Sequence, residues 1–122
     1  MSGRKKSSAP DDRLAYYEKL IAAAHPAIER KGATHPYTSL NGHMFSYLHP
    51  SGAMALRLPE ADRARFLKKY NTTLFEAYGI VQKEYVRVPD ELLTRTKELL
   101  QYLEISYRYV GALKPKPGKK KT

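Results

Sequence analysis

The sequence predicts an α+β fold, in which an antiparallel β-meander sheet packs against an N-terminal helix and a long C-terminal helix. Three observations carry this. A strand-like run, Glu84-Tyr85-Val86-Arg87-Val88, passes through Pro89 into the most regular amphipathic stretch of the chain, 89–110. Asn41-Gly42 separates two runs with strand character, 36–40 and 43–49; both central residues of a type I′ turn need positive φ, which makes this pair a strong hairpin signal. Apolar residues near the N-terminus recur with the helical period.

Taken in order, Asp11 or Asp12 caps a first helix whose Leu14, Tyr17, Ile21 and Ala24 share a face, with Leu20 alongside. Pro26 disfavours helical backbone at His25 and removes a donor, so the helix ends or kinks there, with 27–31 as a further turn before Gly32. After the Asn41-Gly42 hairpin, a turn at Pro50-Ser51-Gly52 leads to a third strand over 53–58 and completes a three-stranded meander. The turns set a register in which Met44 faces Leu58, Ser46 faces Leu56 and Leu48 faces Met54, all on the face that meets the long helix. Phe45, Tyr47, Ala55 and Arg57 then line the other face, whose mixed character calls for partial cover by a strand, a helix or a partner.

Pro59 and Glu60 open a second helix reaching about Tyr70, with Phe66, Leu67, Tyr70 and Leu74 turned inward and Arg65, Lys68 and Lys69 together outside. The stretch 71–82 gives only a weak strand signal around 74–76, before Gly79. In the long helix, Pro89 suits the first turn, and Asp90 and Glu91 favour the positive end of the dipole. Leu92, Leu99, Leu103, Ser106 and Val110 form the core stripe, widened by Leu93, Leu100 and Tyr107, until Gly111 provides a stop with Pro115 and Pro117 beyond. Tyr102, Ile105 and Tyr109 form a second, narrower line. It reads either as the seat of another helix of the same domain or as a protein interface, for a partner or a second copy.

The chain has 122 residues, no Cys and a formal charge of +10. One domain is expected over 12–113, flanked by a disordered basic tail over 1–11 and a disordered Lys/Pro-rich tail over 114–122. The absence of Cys excludes disulfides, thiolate metal ligands and a Cys nucleophile. No apolar run follows the basic N-terminus, and the longest apolar stretch, 20–24, is too short to span a bilayer, so a cytoplasmic protein without a membrane partner is expected. Arg4, Lys5 and Lys6 on one side and Lys114, Lys116, Lys119, Lys120 and Lys121 on the other supply eight of the 22 basic residues, which leaves the body between them close to neutral. Basic tails of this composition are either solvated ends or nonspecific contacts to nucleic acid or another polyanion, to which Arg65, Lys68 and Lys69 add a helix face.

Motifs for chemistry are absent from the sequence. The glycines are isolated, no G-x-S-x-G or H-E-x-x-H occurs, and Glu84 and Asp90 have ordinary explanations at a strand and a helix start. His35, His43 and His49 are expected on strands, and His43 and His49 would stand about 20 Å apart along one strand, too far to share a metal. His25 is read as an end-of-helix residue. No catalytic residue, metal or cofactor is expected. The ten tyrosines are read as core by default, with base stacking open to them if several share one exposed surface.

Together, Asn41-Gly42-His43-Met44-Phe45, Arg57-Leu58-Pro59, Lys83-Glu84-Tyr85-Val86-Arg87-Val88-Pro89 with Glu91-Leu92-Leu93, and Tyr107-Arg108-Tyr109-Val110 before a Lys/Pro tail resemble the TfoX N-terminal domain family. The likeness runs from about Leu14 to Lys121. The chain departs from the family pattern at Ala33-Thr34-His35-Pro36, where many members carry a Met-Phe-Gly-Gly-like stretch. The resemblance implies an antiparallel sheet covered by helices, in a small stand-alone bacterial protein. The name-giving members of the family are regulators of natural competence that carry a second domain, many small stand-alone members have no assigned activity, and the family supplies no catalytic residues. The expected function is a non-enzymatic regulatory or protein-interaction module, with nucleic-acid binding through the tails and the basic helix face as the alternative.

Overall fold

Leu99, Leu103, Ser106 and Val110 are all buried along one side of α4 (Thr96–Gly111), and the sheet packs against this stripe. The computed structural model describes residues 11–24, 28–32 and 34–115. Within them α1 (Asp11–Ala22) is followed by β1 (Tyr37–Leu40), β2 (His43–Leu48), β3 (Met54–Arg57), α2 (Glu60–Lys69), β4 (Leu74–Ala77), β5 (Ile80–Val88), α3 (Asp90–Leu93) and α4. The five strands form one antiparallel sheet in the order β1-β2-β3-β5-β4. Among the described residues no helix is long and apolar enough to cross a membrane.

All the helices contribute to one core on a single face of the sheet. Tyr17, Leu20 and Ile21 of α1, Phe66 of α2, Leu92 and Leu93 of α3 and the α4 stripe meet Leu48, Met54, Leu56, Val86 and Val88. The register expected from the turns is present where Ser46 pairs with Leu56 and Leu48 with Met54. In the middle of this apolar layer the buried hydroxyls satisfy one another: Tyr17 Oη lies 2.8 Å from Ser46 Oγ, which lies 2.6 Å from Thr38 Oγ1. Buried polar groups of this kind are tolerated when each has a partner.

Four expectations are corrected. Met44 does not share a face with Ser46, because Thr38 pairs with Ser46 while Ser39 pairs with Met44, leaving Phe45 as the extra residue of a β-bulge. The bulge reverses the alternation: Phe45 is fully buried on the helix side with its ring edge-on to Tyr107 at 5.9 Å, and Met44 turns to the opposite face, beside Tyr37 and Tyr47. The helix expected over 89–110 is broken at Thr94 and Arg95. Thr94 Oγ1 donates to the Glu91 carbonyl at 2.7 Å, the next N–H groups make tightened bonds to Glu91 and Leu92, and Arg95 leaves helical geometry at φ −100° and ψ 77°. A threonine hydroxyl competing for the backbone has this effect, and the break lets adjacent Leu92 and Leu93 both be buried.

The further helical turn expected over 27–31 is not present over 28–31; Lys31 instead exchanges both backbone hydrogen bonds with Tyr37, at 2.8 and 2.9 Å. His25 and Pro26 lie outside the described residues. Finally, the ambiguous stretch 71–82 is a hairpin, so Leu74 belongs to β4 rather than to the inward face of α2. Its two-residue turn is Tyr78-Gly79, with φ of 54° and 77°, the same pattern as Asn41-Gly42 at 57° and 80°.

Candidate functional site

The hairpin β4–β5 shapes the face of the sheet that carries no helix. Its register shifts between Leu74 and Phe75: Leu74 pairs with Val86, but Phe75 pairs with Gln82, so the longer strand bulges and the hairpin bends. The Phe75 ring consequently reaches β2, across the two strands that separate β4 from it in the sheet order, at 5.5 Å from Tyr47 and 5.6 Å from the His49 ring that follows it. Tyr78 stands 5.7 Å from His49, and Tyr47 Oη donates to Gln82 Oε1 at 2.6 Å. The hairpin thus curls back over the sheet and supplies the strand cover that the mixed face called for. Beneath it Ala53, Ala55, Phe75 and Ala77 form a second small core, with Tyr47 and Tyr85 packed on it.

Between the hairpin tip and the β1–β2 end of this face lies a cleft of about 280 Å³, lined by His35, Tyr37, Met44, Tyr47, His49, Ala77, Tyr78 and Gln82 among others. Its walls carry no acid. The Tyr47 hydroxyl is pushed above the ordinary phenol range by burial, with its bond to Gln82 pulling the other way, so it stays a neutral donor. Neighbouring Tyr85 is raised to about 12, chiefly by burial and against the pull of Arg57, and donates to the Met44 carbonyl at 2.6 Å. His49 Nδ1 accepts the Ser51 N–H at 3.1 Å, which in the neutral ring leaves the proton on Nε2. Because Gln82 Oε1 already accepts from Tyr47, the amide NH₂ is what this side chain has left to offer.

Among the described residues, the large apolar side chains that stand out into solvent lie at the tip of the same hairpin: Tyr78 at 85% exposure, Ile80 at 66% and Val81 at 50%. The residues named from sequence are placed differently. Tyr102 is half-buried with its ring edge-on to Phe66 at 5.0 Å and to Tyr70 at 5.8 Å, and Ile105 packs on the main core. Tyr109 lies under the Arg57 guanidinium at 5.6 Å and donates to Glu84 Oε2 at 3.4 Å, while Arg57 pairs with Glu84 Oε1 at 2.7 Å. Arg57 therefore turns to α4 and β5 rather than lying with Tyr47. The line Tyr102, Ile105 and Tyr109 is engaged inside the domain, as the seat of α2 and of the sheet end.

Arg65, Lys68 and Lys69 are exposed and share a groove with Asp62 and Tyr102, where Arg65 Nη2 meets Asp62 Oδ1 at 2.6 Å and Lys69 Nζ sits 5.4 Å over the Tyr70 ring. The Lys114 carbonyl accepts from His43 Nε2 at 2.9 Å. Arg4, Lys5, Lys6, Lys116, Lys119, Lys120 and Lys121 lie outside the described residues. His35 and His49 line one cleft and His43 does not, and neither His35 nor His49 is inside a strand. Among the described residues no group of three His, Asp or Glu side chains is arranged to hold a metal.

Sequence reasoning missed the hairpin tip. The usable signal was a two-residue turn ending in Gly79, but Tyr at the first position is not the Asn or Asp that marks such turns. The chain matches no family model, and no curated protein or solved structure matches it.

Proposed function

We propose that the protein is a non-enzymatic interaction module whose partner surface is the tip of the β4–β5 hairpin. The observation that carries this is the exposure of Tyr78 on the turn and of Ile80 and Val81 directly after it at the start of β5. Exposed apolar residues gathered in one place mark interaction sites, whereas the same residues scattered singly would mean little. β5 also extends past its pairing with β3, which covers only Tyr85 to Val88, so the backbone around Ile80 has an edge to offer a partner strand. The regulatory part of the proposal rests on the resemblance to the TfoX N-terminal domain.

Site-specific photo-crosslinking in cells tests it. With p-benzoylphenylalanine in place of Tyr78 or Val81, a discrete adduct is expected, at twice the chain mass if the partner is a second copy. The same probe in place of Gln101, exposed on α4, is expected to give none. Equal adducts from all three positions, or none from the hairpin, would reject the tip as the partner surface.

A second reading, nonspecific nucleic-acid binding, is favoured by the exposed grouping of Arg65, Lys68 and Lys69 beside Tyr102. It predicts anisotropy-measured binding to a DNA duplex that weakens steeply with salt. The double variant Lys68→Ala, Lys69→Ala should flatten the slope of log K against log salt by about 2. An unchanged slope would assign the binding to the tails.

A further inference from the structure

We propose that the cleft under the β4–β5 hairpin is a binding site for a small planar aromatic carboxylate. The site goes beyond the partner surface, with which it shares only Tyr78. Its walls are rings set at angles to one another, with Tyr47 and His49 fixed by the Phe75 ring at 5.5 and 5.6 Å and His49 tilted 48° to Tyr78. Such a frame accepts a flat ligand by edge and face contacts. The polar groups are matched to an acceptor. His49 Nδ1 is occupied by the Ser51 N–H, which leaves Nε2–H, and Gln82 Oε1 is occupied by Tyr47, which leaves the NH₂. No carboxylate lines the cleft to compete for these donors. A ligand bearing –COO⁻ pairs with both, and hydrogen bonds to an ionised acceptor are the stronger kind.

Size narrows the class further. The cleft holds about 280 Å³, at the lower limit of the ~300–1,000 Å³ typical of drug-sized ligands, so it takes one ring or two fused rings. The hairpin bend is what creates it. Without the register shift at Leu74 and Phe75, Ala77, Tyr78 and Gln82 would continue the plane of the sheet and the cleft would lose its far wall.

The test is an NMR titration of the full ¹⁵N-labelled chain with indole-3-carboxylate, compared with indole-3-methanol, which keeps the rings and lacks the charge. The acid is expected to give saturable shifts at Ala77, Tyr78 and Gln82 and to bind about tenfold more tightly than the alcohol, the difference expected of a charge-assisted contact. The isosteric variant Gln82→Glu keeps an acceptor for Tyr47 but replaces the donating NH₂ with a negative oxygen. It should abolish the preference for the acid, lowering the acid's affinity to that of the alcohol or below. Equal affinity of the two ligands for the wild type would overturn the proposal. So would shifts confined to Arg65, Lys68, Lys69 and the basic tails, which would mean only charge attraction to a basic protein. The titration reads the cleft whether or not the hairpin tip yields a crosslink, so the two proposals can fail separately.

Discussion

Replacing Gly32 with alanine is expected to destabilise the protein by about 2–4 kcal/mol, whereas the same change at Gly79 is expected to cost about 1 kcal/mol. Both glycines have positive φ, 82° and 77°, so both substitutions carry the left-handed penalty. Their surroundings differ. A Cβ at Gly32 would press into the His35 carbonyl oxygen and come within 3.0 Å of the Tyr37 ring, while a Cβ at Gly79 would meet nothing within 4 Å. Gly32 is the point where the chain folds back so that Lys31 can pair with Tyr37, and the His35 carbonyl that blocks the methyl is backbone, which cannot swing away. Urea denaturation of the two variants measures the difference. Equal losses would mean that the approach of Gly32 to His35 is not kept in solution.

Alkaline pH is expected to unfold the protein through Tyr17. Its hydroxyl is held well above the ordinary value of 10.0, chiefly by burial, against smaller opposing pulls from Ser46, Thr38 and Arg30. Above pH ~10 the unfolded chain releases this proton while the native state keeps it, so the native state binds more protons and stability falls as pH rises. The stabilising contribution is complete below pH ~10, and each further unit removes up to about 1.4 kcal/mol. Tyr85, raised to about 12, adds a smaller loss over the lower part of the same window because part of its ring meets solvent.

Tyr17→Phe separates this effect from general alkaline damage. Near neutral pH the variant should be about 1 kcal/mol less stable, since Ser46 and Thr38 still satisfy each other at 2.6 Å. Above pH ~10 it no longer pays the ionisation penalty, so its stability curve should fall less steeply and cross that of the wild type. Urea midpoints across the alkaline range read both slopes. Parallel curves would show that the Tyr17 phenol ionises in the folded protein.

Most of the frame was legible because it depends on local periodicity and turn chemistry. The 3.6-residue spacing of Leu99, Leu103, Ser106 and Val110 placed the core stripe, Asn41-Gly42 marked the β1–β2 hairpin, and the turn at Pro50-Ser51-Gly52 gave the expected β2–β3 register at Ser46–Leu56 and Leu48–Met54. The site was not legible for reasons equally local. A β-bulge leaves no compositional mark, so the exchange of faces between Met44 and Phe45 could not be foreseen, and neither could the bend at Leu74 and Phe75. The half-buried line Tyr102, Ile105 and Tyr109 could be read as a seat or as an interface, and its contacts with Phe66, Tyr70 and Glu84 come from elements far away in the chain, which no helical period reveals.

By itself the sequence determined the α+β class, the core stripe of the last helix, the β2–β3 register at Ser46–Leu56 and Leu48–Met54 and the near-neutral body between basic ends, since each follows from residue type and spacing along the chain. Only the tertiary structure decided which surface stays open. The curl of the β4–β5 hairpin brings Tyr78 and Gln82 against Tyr47 and His49, residues some thirty positions apart. No sequence period relates them, because the distance between them is set by two register shifts and a positive-φ turn acting together.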